Sequence, residues 1–152
     1  MNKLKQRIRT EGRVLPEVIL LCNALRGDLT HASEHVRAHA LRFVADIAEA
    51  EVLEPLVPSI RTCLTDAHAF VRRAASGALA AVYATGHEAL VPDAPEVLSA
   101  LLATDGDAGV RAACLRGLLD MSALDVASEA LDAALPRLTT EAGQLAAVDY
   151  VR

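Results

Sequence analysis

The stretch that decides the fold is residues 65–82, TDAHAFVRRAASGALAAV, which returns twice in altered form. It aligns with residues 30–47, THASEHVRAHALRFVADI, and with residues 104–121, TDGDAGVRAACLRGLLDM. In each stretch a Val-Arg pair follows a short polar turn, and successive pairs lie 35 and then 39 residues apart. Self-similarity at such a period indicates a repeat protein built from one supersecondary unit.

The apolar spacing inside each repeat predicts helices. Counting from the valine of each pair, apolar or small residues stand at positions 4, 7, 8 and 11, which is one face of an α-helix. Each of these helices follows another apolar helical pattern, so the unit is helix, turn, helix. The residues predicted to point inward include Ile19 on the first helix and Phe43 on its partner. One unit cannot bury its apolar face alone, and stacked units form the core.

The predicted fold is all-α, a right-handed α-solenoid of about four helical hairpins. The turn Asp placed five residues before Val-Arg resembles the HEAT repeat family. Residues 1–15 are predicted to form a basic, frayed amino-terminal segment, and residues 16–152 a single solenoid. The expected repeats cover residues of about 16–50, 53–86, 95–123 and 126–152.

Composition and charge exclude several functions. The 152 residues are 53% apolar and 3% aromatic, with a net charge of −5, and an acidic chain argues against nucleic-acid binding. The longest unbroken apolar run, residues 78–84, is far short of the ~20 residues of a membrane span. The three cysteines, Cys22, Cys63 and Cys114, are predicted to be buried free thiols of a cytosolic protein.

One arginine recurs in every repeat, at Arg37, Arg72 and Arg111. These residues could form a row of donors for an acidic partner. The favoured interpretation is structural: each pairs with a turn carboxylate, such as Asp66 or Asp105, of its own or the adjacent repeat. Candidate protein-binding residues on the surface are Arg72 and its neighbour Arg73.

No catalytic residue, metal site or cofactor site is predicted, and the chain is not expected to be an enzyme. The one spacing that suggests a metal site is that of His31, His35 and His39, four residues apart, which could bind zinc. We favour histidines of a turn and of the edge of a packed face, because no cysteine or metalloprotease glutamate accompanies them.

Several strings resemble the amino-terminal, adaptin-like trunk of the coatomer beta subunit family. The most specific is LVPDAPEVL at residues 90–98, because helix packing alone does not require it. LRGDLTH at residues 25–31, EAEVLEPLVP at residues 49–58 and FVRR at residues 70–73 are also similar. The resemblance covers the chain from about residue 11 to the end and is strongest up to about residue 102.

The resemblance implies a non-catalytic scaffold subunit of the COPI vesicle coat, which carries proteins between the Golgi apparatus and the endoplasmic reticulum. The implied partners are other coatomer subunits, the delta-type subunit especially, and an Arf-family GTPase in its GTP form. The implied location is the cytoplasm, with peripheral attachment to the cytosolic side of Golgi membranes and COPI-coated vesicles. The family's subunits are much longer, so the chain is expected to be a fragment.

Three alternatives remain open. The chain could be the trunk of a beta subunit of a clathrin adaptor, which flanking sequence would distinguish. It could also be a free-standing HEAT-repeat module that binds proteins. An enzyme using the three histidines is the least favoured.

Overall fold

Helices separated by short polar turns occur at the spacing of the sequence repeat. The structure is a computed structural model that describes residues 9–10, 13–14 and 16–121. Side chains are described from residue 18 onward. The helices are α1 Pro16–Leu29, α2 Glu34–Ala45, α3 Ala50–Leu53, α4 Val57–Cys63, α5 Ala69–Ala84, α6 Ala94–Thr104 and α7 Ala108–Asp120. Single 3₁₀ turns occur at Glu54–Leu56 and Glu88–Leu90. The predicted all-α class and its helical-hairpin architecture are confirmed.

A short antiparallel pairing precedes the helices and was not predicted. Strands β1, Arg9–Thr10, and β2, Arg13–Val14, pair with Arg9 opposite Val14 and Thr10 opposite Arg13. The predicted fourth hairpin, residues 126–152, lies outside the described residues. The division of the chain into four repeats therefore stays a prediction.

The second helices of the hairpins form one row. Helix α5 packs against α2 on one side and α7 on the other, while α1 packs on α2 and α6 on α7. The small residues predicted at the helix contacts, Ala40, Ala75 and Cys114, are buried. The largest fully buried side chains are mostly leucines, as expected of stacked helical faces: Leu29, Leu41, Leu53, Leu56, Ile60, Leu79, Leu98, Leu102, Leu115, Leu118, Val44 and Val71.

Two residues predicted to point inward are exposed, which corrects the sequence analysis for the first hairpin. Ile19 is 55% exposed and Phe43 is 52% exposed. Helix α2 buries Ala38, Ala40, Leu41 and Val44, and its main described neighbours are α1 and α5. The predicted faces are otherwise confirmed at Cys22, Leu25 and Leu29 on α1 and at Ala40 and Val44 on α2, which are buried. Among the described residues, the row of second helices continues from α2 on one side only, towards α5.

The first helix of the second hairpin is interrupted. The helix–turn–helix unit predicts one helix before the second turn, whereas the chain forms α3, a 3₁₀ turn and α4. Proline has no N–H to donate to the helical ladder, and here Pro55 and Pro58 follow one another within four residues. The 3₁₀ turn at Glu54–Leu56 joins two helices that would otherwise be one.

Close contact between α5 and α7 depends on a glycine. A Cβ placed on Gly117 would lie 2.8 Å from the Cβ of Ala80 and 3.1 Å from Cδ1 of Leu98. A Cβ on Gly77, in α5, would meet nothing within 4 Å. The two glycines therefore differ in packing, although both lie inside helices.

We expect Gly117→Ala and Gly77→Ala to change stability in opposite directions. At Gly77 the gain in helix propensity stabilises the fold by about 1 kcal/mol. At Gly117 overpacking costs about 1–3 kcal/mol and outweighs that gain. Urea denaturation of both variants checks the prediction, and stabilisation by both would show that α5 and α7 do not approach closely.

Candidate protein-interaction surface

The repeated arginine and the turn aspartate of the next hairpin form bidentate ion pairs. Nε of Arg37 donates to Oδ2 of Asp66 at 2.8 Å, and its Nη2 donates to Oδ1 at 3.1 Å. Arg72 binds Asp105 in the same way, at 2.7 and 2.9 Å. Each pair joins the start of one second helix to the turn of the following hairpin.

The same arginines also hold their own turns. Nη1 of Arg72 donates to the carbonyl oxygen of Asp66 at 2.9 Å, and Nη1 of Arg111 donates to that of Asp105 at 2.9 Å. Nη1 of Arg37 donates to two turn carbonyls at 2.7 and 3.0 Å. The predicted pairing with a turn carboxylate is confirmed for Arg37 and Arg72, while Nη1 of Arg111 donates to backbone oxygens of its own turn.

The electrostatics of the turn carboxylates follow from these contacts. Oδ1 of Asp105 accepts the backbone N–H of Asp107 at 2.8 Å, beside the two bonds from Arg72. The hydrogen bond from Arg72 lowers the pKa of Asp105 against the opposing effect of burial. Burial raises the pKa of Asp66, but hydrogen bonds from Arg37 and His68 outweigh it, so that the pKa is lowered overall. Both carboxylates are ionised at neutral pH.

The first described turn has a histidine in the aspartate position. Nδ1 of His31 accepts the backbone N–H of Ser33 at 3.0 Å, as Oδ1 of Asp105 accepts that of Asp107. In the neutral imidazole the proton then lies on Nε2. The His31 side chain thus accepts a backbone N–H, as the turn aspartates do. It presents an N–H donor at the position where the other turns present a carboxylate.

Arg73 differs from Arg72 although the two are adjacent in sequence. Arg73 is exposed and, among the described residues, no carboxylate lies within 4 Å of its guanidinium. Its side chain runs beside the start of α7, where a Cβ on Gly109 would meet its Cδ at 3.7 Å. Of the two predicted surface candidates, Arg73 is the one that faces solvent.

Sequence reasoning missed a contact between exposed residues of α2 and α5. The guanidinium carbon of Arg42 lies 4.8 Å from the ring centroid of Phe70, and the ring of His35 meets Phe70 edge-on at 5.8 Å. Arg42 and His35 belong to α2 and Phe70 to α5, so nothing local in the sequence joins them. The sequence shows only that His35 and Arg42 share one face of α2, because they are seven residues apart.

The cysteines are buried free thiols, as predicted. Burial raises the pKa of the Cys114 thiol to about 11, and Sγ of Cys114 donates to Oγ of Ser76 at 3.4 Å. A thiol in this environment is protonated at neutral pH and is a poor nucleophile. These side chains contribute to packing between repeats.

The domain family is decided by comparison with known proteins. A family model described as the adaptin N-terminal region matches residues 10–148, most of the chain. The chain belongs to the adaptin N-terminal family. The helical hairpins described above therefore lie in an adaptin-type domain.

This adaptin-family chain is also similar to coatomer beta subunits. It is 48% identical over 101 residues to coatomer subunit beta-2 of Oryza sativa subsp. japonica, a match covering 66% of this chain and 11% of that protein. It is 42% identical over 125 residues to coatomer subunit beta of Sus scrofa, covering 80% of this chain and 13% of that protein. The resemblance predicted from sequence is confirmed, and the chain spans about a tenth of the length of these relatives.

His31, His35 and His39, the histidines spaced four residues apart, do not come together in this adaptin-type chain. His31 accepts a hydrogen bond within its turn, the side chain of His35 is 74% exposed beside Phe70, and His39 is exposed. Within residues 16–121, no group of three or more potential metal ligands comes together. No helix in the described part of the chain is long and apolar enough to span a membrane.

Proposed function

We propose that this chain is part of the trunk of a coatomer beta-type subunit and acts as a non-catalytic scaffold of the COPI vesicle coat. The observation that carries this proposal is its identity of 42–48% to proteins named coatomer subunit beta from plants and animals. The transport of proteins between the Golgi apparatus and the endoplasmic reticulum would follow from membership in that coat.

The physical form of the described hairpins supports a scaffold role. A row of stacked helices offers a long surface for protein contacts, and its polar side chains in the turns are used to hold neighbouring repeats together. The match to the adaptin N-terminal region supports a trunk that binds proteins and has no catalytic site. Binding to partner proteins is therefore the activity that this structure supports best.

The proposed partners are other coatomer subunits, chiefly the delta-type subunit, and an Arf-family GTPase in its GTP form. The proposed location is the cytosolic side of Golgi membranes and COPI-coated vesicles, reached by peripheral attachment through the coat. The adaptin family also covers the alternative, a clathrin adaptor beta trunk, but the relatives reported above are all coatomer subunits.

A pull-down tests the proposal. We expect the immobilised chain to retain a delta-type coatomer subunit, and to retain an Arf-family GTPase when it carries a non-hydrolysable GTP analogue but not GDP. A folded HEAT-repeat protein of unrelated function is the control bait. Retention of neither prey by a chain whose circular dichroism shows it to be folded would contradict the proposal. Retention of clathrin adaptor subunits instead would favour the alternative.

A further inference from the structure

One surface of the described hairpins carries arginines that the fold does not use. Residues three, four and seven positions apart share a helix face, so His35, His39 and Arg42 form one stripe of α2. Phe70 and Arg73 lie together on α5, the next helix in the row. Apart from half-exposed Phe70, all of these side chains are exposed.

Contacts between the two stripes join His35, Arg42 and Phe70, and together with Arg73, which lies three residues after Phe70 on α5, we name them the Phe70 cluster. The Arg42 guanidinium lies over the Phe70 ring at 4.8 Å, and the His35 ring meets it edge-on. Phe70 remains 37% exposed between them. A planar guanidinium over an aromatic ring is partly ordered before any ligand binds, which lowers the entropy lost on binding.

The charge of the cluster contrasts with that of the chain. The chain carries −5 overall, and three of its described arginines, Arg37, Arg61 and Arg72, are in carboxylate pairs. For Arg42 and Arg73, by contrast, no carboxylate of the described residues lies within 4 Å.

The acids nearest to the cluster along α2 do not neutralise it. Glu34 lies 3.7 Å from Nε2 of His35, and Asp46 follows at the carboxyl end of the helix. Neither is within ion-pair distance of Arg42. Among the described residues, the Arg42 guanidinium thus lies over an exposed aromatic ring, Arg73 follows three residues later on α5, and neither arginine has a carboxylate partner within 4 Å.

We propose that the Phe70 cluster binds an acidic segment of a partner protein. Carboxylates of the segment pair with Arg42 and Arg73, because guanidinium matches a carboxylate with two parallel hydrogen bonds. An apolar side chain of the segment packs on the exposed part of Phe70. This inference goes beyond the scaffold role, since it assigns a site and a ligand chemistry whichever coat the chain serves.

Fluorescence anisotropy tests the site with a labelled twelve-residue peptide of glutamate and leucine, and with the same peptide carrying glutamine for glutamate. We expect the acidic peptide to bind and the glutamine peptide not to bind. Arg42→Glu combined with Arg73→Glu should weaken binding by about a hundredfold, about tenfold for each arginine. Arg26→Glu, an exposed arginine on α1, is the control and should leave binding within about twofold of wild type.

Several results would overturn the site. One is that the acidic peptide does not bind the wild-type chain. Another is that Arg26→Glu weakens peptide binding as much as the double variant does. Because residues 1–15 are present in every variant, binding that survives both substitutions would place the site in that basic segment instead. Should the glutamate variant fail a melting test, Arg42→Gln with Arg73→Gln replaces it. Binding to phosphatidylserine vesicles without binding to the peptide would assign the cluster to a membrane and reject the proposal.

Discussion

Val71→Asp is expected to unfold the solenoid. Val71 is fully buried at the start of α5, the helix that packs against both α2 and α7. A carboxylate at this position has no partner within the apolar core, and an uncompensated buried charge costs about 3–5 kcal/mol. Total stabilities of domains are about 5–15 kcal/mol, so most of the margin would be lost. Thermal unfolding followed by circular dichroism measures the effect.

Arg73→Asp is the matched control for this experiment. It introduces the same carboxylate two residues further along the same helix, at an exposed position. An acidic side chain near the amino end of a helix interacts favourably with the helix dipole, so little loss of stability is expected. Equal melting curves for Val71→Asp and wild type would show that the assigned helix face is wrong.

Asp105→Ala is expected to cause the next largest loss, about 3 kcal/mol. The side chain of Asp105 is 5% exposed and accepts two hydrogen bonds from Arg72 and one from a backbone N–H. Its removal leaves a guanidinium in a half-buried position without its carboxylate, which costs more than the loss of a surface pair. Urea denaturation gives the change in the free energy of unfolding.

The exposed pair of Arg61 and Asp93 provides the comparison. The Asp93 side chain is 52% exposed, and such pairs contribute about 0–1 kcal/mol. Asp93→Ala should therefore cost far less than Asp105→Ala. Equal losses would indicate that burial does not distinguish the two ion pairs.

The effect of Asp105→Ala should depend on pH in a defined direction. Asp105 has a lower pKa in the folded chain than in the unfolded chain, so the folded state favours the ionised form. The stabilisation is complete above the unfolded pKa of about 3.9 and is lost as pH falls through the lower folded value. The difference in stability between wild type and variant should be constant from about pH 5 to 7 and should shrink below about pH 4. A difference that grows on acidification would contradict the assigned ion pair.

The arginine–aspartate ion pairs show which contacts could be predicted from the sequence and which could not. The recurrence of Val-Arg and the turn Asp at one spacing predicted that Arg37 and Arg72 would bind turn carboxylates of their own or the next hairpin, and they bind those of the next. Reasoning of this kind succeeds because a repeat places equivalent residues in equivalent surroundings. It nevertheless kept both Arg72 and Arg73 as surface candidates, since the exposure of each depends on the rotation of α5 against its neighbours.

The sequence by itself determined the local and periodic features of this protein: the helical hairpins, the small residues at helix contacts, the buried thiols and the turns that carry the ion pairs. These follow from a spacing of 3.6 residues and from a repeat near 35 residues, both of which can be read along the chain. Only the tertiary structure decided the exposure of Ile19 and Phe43 and the meeting of Arg42 with Phe70. Those depend on how each helix is rotated against its neighbours, and on which neighbours it has, and no local pattern encodes either.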